Sequence, residues 1–310
     1  MRKLILVMIA LFLFFLTSCN MISTTQQILD GTNRNDTTTT TTTREELHIP
    51  DYGGQGFVNQ PEYNGIITIR AATPLTCEES RCYRQVYSSS DLWLGMEMTI
   101  ILPYFTGDEN HFAKIYFSTI SSGHQSDLGL VLSNTSTPTY HIFWEDTINN
   151  TTTPVITNGD ELEHKYFPGD KIRMSVFSTK QNNLKLLIEL LEPTKDPLYQ
   201  DITRREDAYI SLEFISNQHD AKNAIFKRIV SIEKTTENYG EARLTDALII
   251  ETWLYRLINQ EVYKMRFDSS SRSSNDCGDY FDFIVTYDNR VRGLYGGEIL
   301  NIIPKEREGE

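Results

Sequence analysis

The stretch LWLGMEMTIIL, from Leu92 to Leu102, decides the fold class of this chain. Every even position in it is apolar, whereas the odd positions include Gly95, Glu97 and Thr99. Successive side chains of a β-strand point to opposite faces of the sheet, so a period of two predicts a long strand with one buried face.

The same alternation returns along the rest of the chain. Apolar residues occupy alternate positions at 172–176, 184–190, 208–214, 263–267 and 281–285. Turn-forming pairs such as Asn158-Gly159 and Pro168-Gly169 separate these runs. With the less regular apolar runs they indicate roughly twelve to fourteen strands, and residues 196–206 form the best candidate for a short helix.

A sheet with one buried face needs a second sheet to cover it. Because no linker rich in proline or glycine interrupts residues 60–304, one large domain is favoured over two small ones. The sequence therefore predicts an all-β fold over residues 55–310, an antiparallel two-sheet jelly-roll sandwich.

Two stretches of this domain resemble a known group of β-sandwich proteins. Asp127-Leu-Gly-Leu-Val-Leu132 and Pro168-Gly-Asp-Lys-Ile-Arg-Met174, together with the length and strand number, are similar to concanavalin-like lectins and glucanases. The resemblance implies a concanavalin-like jelly roll, and fold alone does not give function. The Glu-x-Asp-x-x-Glu strand of the glucanases is absent from the sequence, which predicts no catalytic residues.

The N-terminus has the layout of a secretory signal peptide. Arg2 and Lys3 precede thirteen consecutive apolar residues, from Leu4 to Leu16. A membrane-spanning helix needs about 20 apolar residues, so this run is too short for a stable span. Residues 1–18 are therefore predicted to be removed on export.

The residues that follow, Leu16-Thr17-Ser18-Cys19, resemble the lipobox of bacterial lipoproteins. In that family a diacylglycerol is attached to the cysteine thiol, a dedicated peptidase cuts before the cysteine, and the new amino terminus is usually acylated. The resemblance implies lipid attachment at Cys19 and a place on the extracytoplasmic face of the cell membrane. An ordinary cleaved signal with an incidental Cys19 is the alternative.

Residues 19–54 are predicted to form a disordered tether between the lipid and the domain. They are rich in Thr, Asn, Gln and Asp, and seven consecutive threonines run from Thr37 to Thr43. A stretch with so little apolar surface does not offset the entropy lost on ordering. About thirty flexible residues reach roughly 30 Å, which would lift the domain clear of the lipid headgroups.

The mature chain is acidic. Without Arg2 and Lys3 it carries 27 Lys and Arg against 42 Asp and Glu, a formal charge of −15. Phosphate binding needs a basic surface, so the sequence predicts no nucleic-acid partner.

Three cysteines remain in the domain. Cys77 and Cys82 are separated by four residues in a polar loop, and an oxidising exterior would let them form a small disulfide. Cys277 is then a lone thiol or an alternative partner. A second pair of zinc ligands is missing near Cys77 and Cys82, so the sequence predicts no metal and no cofactor.

One stretch combines the groups that a sugar-binding site needs. Trp144, Glu145 and Asp146 end a predicted strand and precede a polar loop. An aromatic ring packs against the apolar side of a pyranose, whereas carboxylates and amides bind its hydroxyls. The stretch therefore predicts a glycan site, and a core tryptophan capped by a polar turn is the alternative.

Two classes of function are compatible with these features. The first is a membrane-anchored lipoprotein whose non-catalytic domain binds a glycan or another envelope component. The second is an extracellular polysaccharide hydrolase or lyase whose site the sequence does not reveal. The first is favoured because the nucleophile-elbow, metalloprotease and phosphate-loop motifs are absent from the sequence.

Overall fold

The chain folds as a sandwich of two antiparallel β-sheets in a computed structural model. The structure describes residues 60–77, 81–108, 110–133, 138–148, 151–156, 166–179, 182–202, 204, 209–214, 219–220, 223–234, 241–268, 270–277, 283–288 and 295–304. The predicted signal peptide, Cys19 and the predicted tether lie outside these residues. The all-β, two-sheet prediction is confirmed.

Sixteen strands and one short helix lie among the described residues. They are β1 (Arg81–Ser88), β2 (Trp93–Ile101), β3 (Tyr104–Thr106), β4 (His111–Ser121), β5 (His124–Ser133), β6 (Tyr140–Ile148), β7 (Thr151–Ile156), β8 (Lys171–Ser178), β9 (Leu184–Glu192), α1 (Pro197–Gln200), β10 (Tyr209–Phe214), β11 (Ile225–Lys234), β12 (Arg243–Ile258), β13 (Glu261–Arg266), β14 (Arg272–Cys277), β15 (Phe283–Asp288) and β16 (Glu298–Pro304). The strands outnumber the prediction because polar strands such as β14, RSSNDC, show no apolar alternation.

The strands divide into a seven-stranded and a nine-stranded sheet. The seven-stranded sheet has the order β14-β1-β11-β4-β5-β6-β7. The nine-stranded sheet has the order β10-β9-β8-β2-β12-β16-β15, with β13 and β3 also paired to β12. Inward side chains of both sheets form one continuous core.

Most of the predicted alternation is found in this core. Met96, Met98 and Ile100 of β2 are fully buried between the sheets. Leu94 is an exception, because the pairing with β12 shifts register beside Gly95. Such a bulge reverses the faces of the residues beyond it. Trp93 therefore joins the inter-sheet core, while Leu94 packs on the outward face of the nine-stranded sheet.

Two hairpins close with turns that need left-handed backbone. Ser122 and Gly123 connect β4 to β5 with φ values of 52° and 81°. Asn259 and Gln260 connect β12 to β13 with φ values of 51° and 68°. Positive φ at both central residues is typical of the type I′ turn, whose twist matches that of the paired strands.

A buried ion network joins the two sheets. Glu298 of the nine-stranded sheet accepts hydrogen bonds from Arg84 Nε, at 2.9 Å, and from Arg228 Nη2 of the seven-stranded sheet. Arg228 also donates to Thr252 Oγ1 at 2.6 Å and to the Gly296 carbonyl at 2.8 Å. Burial lowers the pKa of Arg228 to about 10, with Glu298 acting in the opposite direction, so Arg228 stays charged at neutral pH.

The one described helix is shorter than the predicted 196–206. It begins after Asp196, whose carboxylate accepts from the Leu198 amide at 3.0 Å, and it ends at Gln200. In the described part of the chain, no helix is both long enough and apolar enough to cross a membrane.

Candidate functional site

The outward face of the seven-stranded sheet is polar, yet much of it is shielded from solvent. On β1, β11, β4, β5 and β6 the outward side chains alternate with those of the core. The buried outward residues are Tyr83, Gln85, Tyr87, Lys114, Tyr116, Ser118, Asp127, Phe143, Lys227, Ile229, Ser231 and Glu233. An outward sheet face is commonly solvated, so buried charges here indicate a structured site.

Five charged side chains meet on this face. The Lys114 ammonium lies 2.8 Å from Glu145 Oε1 and 2.6 Å from Glu233 Oε2. The Arg81 guanidinium lies 3.5 Å from Glu233 and 3.6 Å from both Asp127 and Glu145. We call these five residues the charged cluster. Solvent reaches it at Arg81 and Glu145, whose side chains are 19% and 17% exposed.

Burial changes the acidity of one carboxyl in the charged cluster. Removal from water disfavours the charged form and raises the pKa of Glu233. The cations Arg81 and Lys114 oppose this rise, whereas the neighbouring Glu145 adds to it. Glu233 therefore keeps its proton to a higher pH than an ordinary glutamate, which makes it a candidate proton donor.

Aromatic rings lie beside the charged cluster. The Tyr116 hydroxyl accepts a hydrogen bond from Arg81 at 3.2 Å, and its ring centroid is 5.4 Å from that of Phe143. The neighbouring residue on β5 is Gly129, where a Cβ atom would come within 2.5 Å of the Tyr116 Cα. Glycine in the DLGLVL stretch therefore lets β4 and β5 pair beneath the Tyr116 ring.

Two buried polar groups of this face have no hydrogen-bond partner among the described residues. They are the side-chain amide nitrogen of Gln85 and the hydroxyl of Ser118. Gln85 lies opposite Ile229, and Ser118 lies opposite Lys227, so the two flank β11 on the same face. An unsatisfied buried polar group costs about 1–3 kcal/mol, which a ligand with hydrogen-bonding groups would relieve.

A disulfide holds one side of the face. Cys77 is bonded to Cys277 of β14, so the predicted Cys77–Cys82 disulfide is wrong and the alternative partner is the one found. Strand alternation explains the pairing. Cys82 points into the inter-sheet core and is not disulfide-bonded, whereas Cys277 lies opposite the outward Tyr83.

The residues before the disulfide run along β1 and β14. The Leu75 amide donates to the Tyr87 hydroxyl at 3.1 Å, and Asn275 Nδ2 donates to the Leu75 carbonyl. Asn275 is also the cross-strand neighbour of Gln85. Residues 75–77 therefore lie beside Gln85, and the Cys77–Cys277 disulfide fixes one end of this segment.

The three residues predicted as a glycan site do not face one site. Trp144 points inward and packs against Phe214, with ring centroids 4.8 Å apart. Asp146 also points inward, where it lies 2.5 Å from His124 Nε2 and accepts from Ser126 at 2.7 Å. Only Glu145 points outward, into the charged cluster. The structure thus corrects the predicted grouping, because consecutive strand residues face opposite ways.

Trp144→Ala is expected to lower the free energy of unfolding by about 3 kcal/mol, since it removes a large ring from the edge of the core. Thermal unfolding with and without glycan would measure this loss. A variant as stable as the wild type but defective in glycan binding would restore Trp144 to the ligand site.

Sequence reasoning missed Arg81, Lys114, Glu233, Gln85 and Ser118. They lie on three strands, β1, β4 and β11, which the fold places side by side. The sequence shows these residues only as polar side chains at the outward positions of the strands, which does not mark them as a site. Pairing of the strands was needed to bring them together.

No group of three or more His, Cys, Asp or Glu side chains in the described part of the chain could hold a metal ion. The side chains described on the outward face can form hydrogen bonds and ion pairs.

Comparison with known proteins identifies no family. The chain matches no family profile and no curated protein sequence. Among solved structures it is similar to Scytalido-glutamic peptidase with a peptide-based transition state analogue, at 13% identity over 71% of this chain and 97% of that chain, with a TM-score of 0.40.

Two further solved structures are less similar. An alginate lyase from Pseudomonas aeruginosa has 7% identity, covers 64% of this chain and 66% of its own, and has a TM-score of 0.24. The botulinum neurotoxin serotype D binding domain has 9% identity over 72% of this chain and 84% of that chain, with a TM-score of 0.17. Likenesses at this level carry no argument about the activity or ligand of this chain.

Proposed function

We propose that this chain is a lipid-anchored, extracytoplasmic lipoprotein whose β-sandwich domain binds a glycan. The ligand occupies the outward face of the seven-stranded sheet, beside the charged cluster. The domain holds the ligand without cleaving it.

The anchor is supported by the sequence and by the disulfide. The apolar run Leu4 to Leu16 followed by Cys19 resembles a lipoprotein signal. The Cys77–Cys277 bond supports export, because disulfides persist in oxidising compartments and are rare in the cytosol.

Glycan binding rests on one observation, the unpartnered amide of Gln85 and hydroxyl of Ser118 on a face lined by rings and carboxylates. Sugar hydroxyls donate and accept hydrogen bonds, so they complement amide, hydroxyl and carboxylate groups together. Rings such as Tyr116 supply apolar surface for the faces of the sugar.

Polysaccharide hydrolysis is a second candidate function, suggested by two carboxyl groups that contact the same ammonium group. Glu145 Oε1 and Glu233 Oε2 both contact the Lys114 nitrogen, at 2.8 and 2.6 Å, so they are at most about 5.4 Å apart. Retaining glycosidases hold their two carboxyl groups about 5–5.5 Å apart, one of them with a raised pKa. Release of reducing ends from bound polysaccharide would favour this function over binding alone.

Cys19→Ala is expected to abolish lipid attachment, because the thiol that receives the diacylglycerol is removed. Growth with labelled palmitate, followed by recovery of the protein, measures the attachment. The Thr17→Ala variant, which keeps the thiol, is the control. Palmitate label on the Cys19→Ala variant would contradict the lipid anchor.

Gln85→Met and Ser118→Ala are expected to weaken glycan binding while leaving the domain at least as stable as the wild type. Each removes a buried polar group that has no described partner, so up to about 1–3 kcal/mol of stability could be gained. A glycan array and thermal unfolding of the detergent-solubilised full chain measure the two effects. Unchanged binding by both variants would remove this face as the site.

A further inference from the structure

We infer that the ligand of the outward face is a neutral glycan, a polymer whose sugars carry hydroxyls but no carboxylate, sulfate or phosphate. This inference rests on the proposed glycan-binding function and narrows its ligand class.

The cations of the described face are already engaged. Arg81 lies within 3.6 Å of three carboxylates, and Lys114 contacts two. Lys227 donates to the Gln125 side-chain carbonyl at 3.1 Å. An acidic sugar would have to displace a protein carboxylate from Arg81 or Lys114, which would leave that carboxylate buried without compensation.

The carboxylates of the face also repel an acidic sugar. Asp127 is 3% exposed and lies on β5, directly opposite Ser118 of β4. Glu145 follows on the next strand, opposite Asp127. A ligand hydrogen-bonded to Ser118 therefore lies near two acidic groups, which can accept from sugar hydroxyls but oppose a second anion.

The groups that lack partners are uncharged. Gln85 Nε2 has no partner and can donate two hydrogen bonds, and the unpartnered Ser118 hydroxyl can both donate and accept. Both are suited to sugar hydroxyls. A site that hydrogen-bonds uncharged groups rejects ligands that leave those groups unpaired or that bring an uncompensated charge.

The charge of the whole chain acts in the same direction. The mature protein has a formal charge of −15, so its field slows the approach of a polyanion and leaves a neutral polymer unaffected. Binding of a neutral glycan should accordingly depend little on ionic strength.

The test uses the detergent-solubilised full chain and matched pairs of polysaccharides, each pair with one backbone and differing only in acidic groups. β-1,4-Mannan with β-1,4-polymannuronate and β-1,4-glucan with β-1,4-polyglucuronate are two such pairs. We expect the protein to bind the neutral polysaccharide of a pair. The acidic polysaccharide of the same pair should bind roughly 10-fold or more weakly. We also expect less than about a 2-fold change in affinity between low and high salt.

Two variants sharpen the test. Gln85→Met should weaken binding of the neutral polymer roughly 10-fold, whereas Gln200→Met, at an exposed glutamine on α1, should leave it unchanged. Glu145→Gln frees part of the charge of Arg81 and Lys114, so the variant should gain binding to the acidic member of the pair.

Stronger binding of acidic members by the wild type, or steep loss of binding with salt, overturns the neutral-glycan inference and leaves glycan binding standing. Failure of Glu145→Gln to improve acidic binding counts against it too. If no polysaccharide binds, both the inference and the proposed function fall.

Discussion

Glu298→Ala should lower the free energy of unfolding by about 4–5 kcal/mol, because it leaves two buried arginines without their shared carboxylate. Arg84 and Arg228 are 4% and 1% exposed, so water does not replace the lost partner. Burial alone would lower the pKa of Arg84, yet Glu298 and Asp276 raise it above the ordinary value. Chemical denaturation of the full chain, followed by tryptophan fluorescence, measures the loss.

A matched control is the exposed ion pair Lys171–Glu192, whose carboxylate side chain is 66% exposed. Glu192→Ala should leave stability close to that of the wild type, since solvent screens such pairs. A Glu298→Ala variant that unfolds no more readily than this control would show that the inter-sheet network contributes little to stability.

The period-two pattern predicted the fold because alternation is a local property of a strand. Met96, Met98 and Ile100 lie where the pattern placed them, between the sheets. Leu94 does not, because a register shift against β12 depends on a partner strand more than 150 positions along the chain. Local sequence therefore predicts which residues form strands better than it predicts where bulges reverse their faces.

The candidate site could be predicted only in part. Glu145 was identified and belongs to the charged cluster, but its contact with Lys114 joins residues 31 positions apart. Trp144 and Asp146 were grouped with it by proximity in sequence, although strand alternation turns them inward. Polar residues that are neighbours across strands form the site, and that neighbourhood requires strand order, which a single sequence does not supply.

The disulfide shows the same limit. Cys77 and Cys82 are near each other in sequence, but Cys82 belongs to the inward face of β1. The actual partner is 200 residues away, on the edge strand β14. A cross-link between distant residues constrains the unfolded chain more than a short loop does, so the correction also changes the expected stability.

The double variant Cys77→Ser, Cys277→Ser is expected to lose about 5 kcal/mol of stability, from the loop entropy of a 200-residue closure. Because the bond also fixes residues 75–77 beside Gln85, the variant should bind glycan more weakly even below its unfolding temperature. Thermal unfolding and glycan binding of the full chain measure both effects. Treatment with a dithiol should reproduce them in the wild type.

Cys82→Ala is the control for this variant, because it removes the buried thiol and keeps the Cys77–Cys277 bond. It should lose only the stability expected of a small core cavity, about 1 kcal/mol, and bind glycan normally. Peptide mapping without reduction identifies the linked cysteines directly. Recovery of a Cys77–Cys82 peptide would contradict the Cys77–Cys277 pairing. A double variant with the same unfolding temperature as the wild type would also contradict it, and residues 75–77 would then not be fixed beside Gln85 by a disulfide.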